Sequence, residues 1–217
     1  MFVPPVDAFA DCLSVRVLPA FDRIDEEGSR IQTEEYQRLC RITGPDDEPD
    51  LASLAEQAHD RAISYYVTMH EVAQGVVNLF AVGLWHLFEQ QLAGFVRRAV
   101  LPYPSDGPAD NPNFCKAASL MAERGVEITR LPSYTKVNQL RLLSNCAKHG
   151  DGSSCAELRA LRPDLFDPRH RGSLPSWPTP VIAPLGGEDL YLTGDDFRSY
   201  AEAVKAFWSE LSKELCP

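Results

Sequence analysis

Residues 138–154 read NQLRLLSNCAKHGDGSS. Wound at about 100° per residue, this stretch gathers Asn138, Arg141, Ser144, Asn145, Lys148 and His149 on one arc and Leu140, Leu142, Leu143, Cys146 and Ala147 on the opposite one. A helix face that serves only solubility usually carries Glu paired with its cations. This arc has no carboxylate, so Arg141 and Lys148 find no partner within the helix. His149 falls in the last turn, where terminal carbonyls favour a cation, the form of imidazole that donates a proton or holds a phosphate. Asn145, one turn earlier, is spaced to orient a phosphate oxygen or a 2′-hydroxyl, while Arg141 and Lys148 are suited to neutralise charge that builds at phosphorus. The chemistry these residue types serve together is RNA cleavage without metal. The substrate supplies the attacking hydroxyl, one side chain moves a proton, and cations stabilise the pentavalent state.

Spacing limits what one chain achieves. Arg141 and His149 are eight residues apart, about 12 Å of rise, and helical side chains lean towards the N-terminus. Arg141 therefore leans away from His149. Two copies packed about a two-fold axis with these helices antiparallel would bring Arg141 of one to His149 of the other, which makes a homodimer the expected assembly.

The elements that must position this helix are themselves helical. The first segment spans Val6 to Leu18 and stops at Pro19; a second runs from about Ser29 to Ile42, and TGPDDEPD separates it from the next. From Leu51 to Val100 there is no proline, and apolar residues recur at three and four through Ile63, Tyr66, Val67, Val76, Val77, Phe80, Leu84, Phe88, Leu92 and Val96. Unbroken, that stretch is a rod of roughly 75 Å, against about 45 Å for the diameter of a compact chain of this length. It either breaks, most cheaply at Gly75, or projects as an arm towards a second subunit. PYPSDGPADNP (102–112) is a loop, Asn113 to Arg124 a short helix, and Gly150 the left-handed end of the helix that starts near Ser133. TPVIAPLGGEDLYLT (179–193) has the alternation and Gly-Gly turn of a hairpin. Thr193 and Asp196 then form an N-terminal cap for a final helix striped with Phe197, Tyr200, Val204, Phe207, Trp208 and Leu211. The expected fold is all-α, a helical bundle carrying one short β-hairpin before the C-terminal helix.

Composition bounds the function. A chain of 217 residues, 44% hydrophobic, buries a core as one domain. Its formal charge of −10 argues against capture of nucleic acid by the overall field, so RNA contact requires a local basic patch. The N-terminus lacks the basic start and apolar core of a signal peptide. The run from Val76 to Phe88 is interrupted by Asn78 and His86 and is too short for a bilayer, so a cytoplasmic protein without membrane contact is expected. Six cysteines without a Cys-x-x-Cys pair read as reduced, packed thiols. Cys146 and His149 raise a thiol nucleophile or a metal half-site, but no second ligand pair or oxyanion arrangement accompanies them. No cofactor fingerprint is present, and neither a cofactor nor a metal is expected.

LRLLSNCAKHGDG, the preceding WHLFEQQL and the closing helix together resemble the HEPN superfamily of all-helical bacterial proteins, over most of the chain from Leu51 onward. The resemblance implies an up-down four-helix core with extra helices, with 51–217 as the HEPN-like bundle and 1–48 as an N-terminal helical extension. It also implies metal-independent endoribonuclease activity in dimers, often as toxins of toxin–antitoxin pairs or as antiviral defence effectors, with an antitoxin or defence-operon protein as partner. The family signature is an Arg, a polar residue and, a few residues on, a His. Asn145 and His149 match the last two. Ser144 stands where the Arg stands in the family, with Arg141 one turn upstream and Lys148 beside the His to take its charge.

Glu89, three residues after His86, is the carboxylate expected to reach this helix and orient His149 or pair with Arg141; a structural ion pair is the alternative. Arg159, Arg162, Arg169, His170 and Arg171 stand among Glu157, Asp164 and Asp167, a charged loop that would at most flank an RNA path. Three functions follow: a dimeric endoribonuclease with Arg141, Asn145, Lys148, His149 and Glu89 in its cleft; a HEPN-like module that holds RNA, a nucleotide or a partner protein without cutting; and a helical scaffold whose polar arc faces water.

Overall fold

Asp50 accepts from the backbone N–H groups of Ala52 and Ser53 and so caps the longest helix of the computed structural model, which describes residues 2–42, 50–100, 112–171 and 190–215. The helices are α1 (Val3–Asp11), α2 (Ile24–Ile42), α3 (Leu51–Phe95), α4 (Phe114–Ala122), α5 (Tyr134–His149), α6 (Ser153–Leu161) and α7 (Gly194–Leu215). A π-helical segment, Cys12–Val17, and a 3₁₀ turn, Leu18–Phe21, follow α1. The second helix starts earlier than expected, at Ile24, and runs through Gly28, which lies beside Tyr65 of α3.

The core lies between α1, α3, α5 and α7. The first of these runs antiparallel to α7: Phe2 stacks on Trp208 at 4.2 Å, and Phe9 faces Phe197 at 6.4 Å. In contrast, α3 runs parallel to α7, with Phe88 against Phe207 at 5.0 Å and Gln91 accepting from the Trp208 indole at 3.0 Å. The polarity of α5 is opposite to both, because its start is tied to late α7 by Glu210, which accepts from the Ser133 N–H and hydroxyl, while Lys136 lies over the ring of Tyr200 nearer the α7 start. Tyr134 stacks on Phe114, which packs on Trp85 and Phe88. About 22 Å of α5 then runs back along α3, so His149 ends roughly level with Gly75.

At Gly75 the rod does not break: α3 is continuous for 45 residues. One helical glycine costs only about 1 kcal/mol, less than the packing on either side of it. A Cβ at Gly75 would meet nothing within 4 Å. Gly75→Ala is therefore expected to stabilise the protein by about 0.5–1 kcal/mol in urea unfolding. Beyond that level α3 leaves the core, and its first half packs on α2 through Ala58, Ala62 and Tyr65, with the Tyr65 hydroxyl donating to Glu27. The pair forms an arm. By length and composition alone the helix through residues 51–100 is apolar enough to cross a membrane. Val77, Ala81, Leu84, Phe88 and Leu92 of that helix are buried in the protein core.

No strand occurs among the described residues. Most of the hairpin expected over 179–193 lies outside them, and the part that is described, Leu190 to Thr193, is not a strand. Side chains satisfy its backbone instead: Asn78 donates to the Leu190 carbonyl at 2.9 Å and Gln74 to that of Leu192 at 3.0 Å, while the Tyr191 N–H reaches the Leu165 carbonyl. Leu190 and Leu192 are buried, so the alternation that suggested a strand reflects a segment docked on α3.

Candidate functional site

Leu140, Leu142, Leu143 and Cys146 drive α5 into the core and leave Asn138, Arg141 and Asn145 half-buried, with Lys148 and His149 exposed. The helix ends at Gly150, whose φ of 69° with ψ of −143° is a backbone conformation open chiefly to glycine, outside the left-handed helical region expected for it. Asp151 and Gly152 turn the chain into α6, which starts without a side-chain cap. The Asn145 amide donates to the hydroxyl of Ser154 at 3.3 Å, which holds the end of α5 against the start of α6. Among the described residues Lys148 and His149 have no hydrogen-bonding or ionic partner. The corner thus presents an ammonium and an imidazole side by side, near uncommitted N–H groups of a helix start. Its carboxylate, Asp151, lies 3.9 Å from Arg159 and 3.6 Å from the Cys155 thiol.

Arg141 does not join this corner. Its Nε donates to Asn138 at 2.9 Å, one turn towards the helix start. Glu89 is also elsewhere: it accepts from the Phe114 N–H at 3.4 Å, at the start of α4. Phe114 is level with Tyr134, so Glu89 lies on the order of 20 Å from His149 along α5 and neither orients the imidazole nor pairs with Arg141. His86 is exposed, beside Gln90 at 2.9 Å. Asn145, Lys148 and His149 are the predicted site residues that the structure brings together.

Ser144 corrects the helical-wheel reading. It is fully buried, with its hydroxyl unbonded, because it sits at the margin of the polar arc next to buried Val137 and Leu140. An Arg at this position would place a guanidinium in the core. Ser144→Arg is therefore expected to destabilise the fold by at least about 3 kcal/mol, checked by urea unfolding, and not to rebuild a cleft.

The densest polar cluster lies where the sequence showed only a charged loop. Arg162, 17% exposed, donates to Asp164 at 2.6 Å and to Asp196 at 2.7 Å, and reaches the Tyr200 hydroxyl at 3.4 Å. His170 Nε2 is 2.8 Å from Asp196 and 3.5 Å from Asp164. Thr193 and Asp196 form the expected cap, with the Asp196 N–H donating to the Thr193 hydroxyl at 3.0 Å and that hydroxyl donating to the carboxylate at 2.6 Å. Burial pushes the Asp196 carboxyl up, but bonds from Thr193, Arg162 and His170 outweigh it and hold it far below the usual range. Asp164 is lowered chiefly by Arg162. Burial raises Tyr200 to about 12 and, with repulsion from Arg162, lowers Lys136. Donor atoms of Asp164, His170 and Asp196 lie within 4.8 Å of one another, a spacing that would suit a metal ion. The Arg162 fork already supplies positive charge to both carboxylates, so the cluster works as an ion-pair network that ties the 162–171 segment to the start of α7.

Cys146 and Cys155 are buried between α5 and α6. Burial and the neighbouring thiol raise Cys146 far above the usual thiol range, the opposite of what a nucleophile requires. No family model, curated protein or solved structure matches the chain.

Proposed function

We propose that this protein is a HEPN-like, metal-independent endoribonuclease that works at the end of α5. His149 moves the proton, and Lys148 and Asn145 engage the phosphate. The observation that carries the reading is the pair of exposed, unpartnered cationic-type side chains, Lys148 and His149, at a corner where Asn145 is fixed by Ser154. Exposed cations of this kind are free to make charge-assisted hydrogen bonds to a phosphate. A local patch of this kind also answers the net charge of −10, because phosphate contact needs cations at the site rather than in the whole field. One chain offers a single imidazole here, and Arg141 is tied back to Asn138. A second protomer therefore completes the cleft.

A non-cutting module that holds RNA, a nucleotide or a partner protein is the second reading. The burial of Ser144 favours it, since the position next to Asn145 has no room for a guanidinium that faces solvent. Incubation of the purified protein with total cellular RNA in excess chelator separates the two. Discrete cutting supports the nuclease, and a gel shift without any shortening of the RNA supports the module.

A further inference from the structure

We propose that Cys146 and Cys155 form a reversible disulfide that locks the start of α6 onto the end of α5, a redox switch on the motion of the corner that carries Lys148 and His149. The inference goes beyond the nuclease reading and holds whether or not the corner cuts RNA. Two contacts join the helices across the turn at 150–152. Asn145 donates to Ser154 at 3.3 Å and, one residue further along each helix, the Cys155 thiol lies within hydrogen-bonding reach of the Cys146 thiol. Both cysteines are free, and each is 1% exposed. Cys155 also donates to the Asp151 carboxylate at 3.6 Å.

Reactivity comes from opening rather than from the packed state. Burial keeps both sulfurs from solvent, so neither reacts while α6 is docked. The helix that covers them is short, however. It has nine residues, starts after Gly152 without a side-chain cap, and buries only Cys155 and Leu158. A helix of that length is marginal without its packing, and a segment with so few buried contacts belongs to those that open locally. Once it lifts, hydrogen peroxide can reach a sulfur. The thiolate of one cysteine attacks a peroxide oxygen, the O–O bond breaks, and the first water leaves. Redocking of α6 then sets the new S–OH against the second thiol, which forms the S–S bond, breaks the S–O bond and releases the second water. Two electrons pass from the sulfurs to the peroxide, and both thiol protons end in water. The cysteines are nine positions apart, so the bond closes a small loop and removes the opened state. It also keeps Asn145 against Ser154, because the same opening would part them.

Hydrogen peroxide treatment of the folded full chain, followed by alkylation and tryptic mapping, tests the proposal. Trypsin cuts after Arg141, Lys148 and Arg159, so the bond is expected to appear as peptides 142–148 and 149–159 joined with the loss of two hydrogens, and dithiothreitol should separate them. Hydrogen exchange of the α6 amides is expected to slow about 10-fold on oxidation, with circular dichroism unchanged. Cys146→Ala and Cys155→Ala should each abolish both the link and the slowing. Removal of a buried thiol also costs packing, so the wild type before and after dithiothreitol carries the comparison without any substitution. Peptides that stay separate while the exposed Cys40 and Cys115 are oxidised, or that join only in the urea-unfolded chain, would overturn the proposal, as would joined peptides with unchanged α6 exchange. A linked pair in a protein that never cuts RNA leaves it standing and counts against the nuclease, whereas separate peptides in a protein that cuts do the reverse.

Discussion

Asp196→Ala is expected to lower the stability of the protein by about 3 kcal/mol at neutral pH, towards the lower end of what removal of one partner from a buried ion pair costs. The carboxylate is 12% exposed and accepts from Arg162, His170, and both the N–H and hydroxyl of Thr193. Its loss leaves a largely buried guanidinium with Asp164 alone and opens the first turn of α7. Asp164 and the partial exposure of His170 hold the cost below the maximum. The dependence on pH has a definite sign. Asp196 and Asp164 both titrate below their ordinary values in the folded chain, so their contribution is complete above the unfolded carboxylate range near pH 4 and fades as pH falls through the lower folded values. Urea midpoints of wild type and variant should therefore lie far apart at pH 7 and converge as the solution is acidified.

His149→Ala is expected to reduce RNA cleavage by at least about 100-fold, the lower bound for loss of a group that transfers a proton in the transition state. Stability should change by no more than about 0.5 kcal/mol, because the side chain is exposed and has no partner to lose. The combination is diagnostic: a structural residue loses activity and stability together, and this one loses activity alone. Lys148 is also exposed, and under the proposed nuclease function its charge would act on binding as well as on the transition state. Its removal should weaken RNA retention in a salt-dependent way and spare more of the chemistry.

Much of the scaffold was legible in the chain, for local reasons. Apolar recurrence at three and four marked α2, α3, α4, α5 and α7, Thr193 and Asp196 announced the cap of α7, and Gly150 the end of α5. In contrast, α6 (Ser153–Leu161) falls where the sequence suggests only surface chain, and the first segment, expected over Val6 to Leu18, is α-helical only over Val3–Asp11. The continuity of α3 was not decided locally, since one glycine weighs less than the packing on either side of it. Ser144 fell on the polar arc by angle, yet lies in the core, because a wheel gives direction but not the width of the neighbouring helices. The hairpin was inferred from the alternation and Gly-Gly turn of 179–193, most of which lies outside the described residues; the described end, Leu190 to Thr193, is not a strand, and the Gln74 and Asn78 amides donate to its Leu192 and Leu190 carbonyls.

The candidate site divides in the same way. Asn145, Lys148 and His149 could be placed together because they share one helix, whereas Glu89 was assigned by plausible reach and turned out to serve the start of α4. The Arg162–Asp164–His170–Asp196 network joins residues more than thirty positions apart. Only the cap position of Asp196 hinted that this carboxylate had a second task.

The chemistry of the RNA ends tests the central claim most directly. In excess chelator, the wild-type protein is expected to produce fragments that end in 2′,3′-cyclic phosphate, since the substrate's own hydroxyl attacks, and to spare a substrate carrying a 2′-deoxy sugar at the cleavage position. RNA left intact by the wild type, or a 2′-deoxy substrate cut as readily as the natural one, would contradict the account.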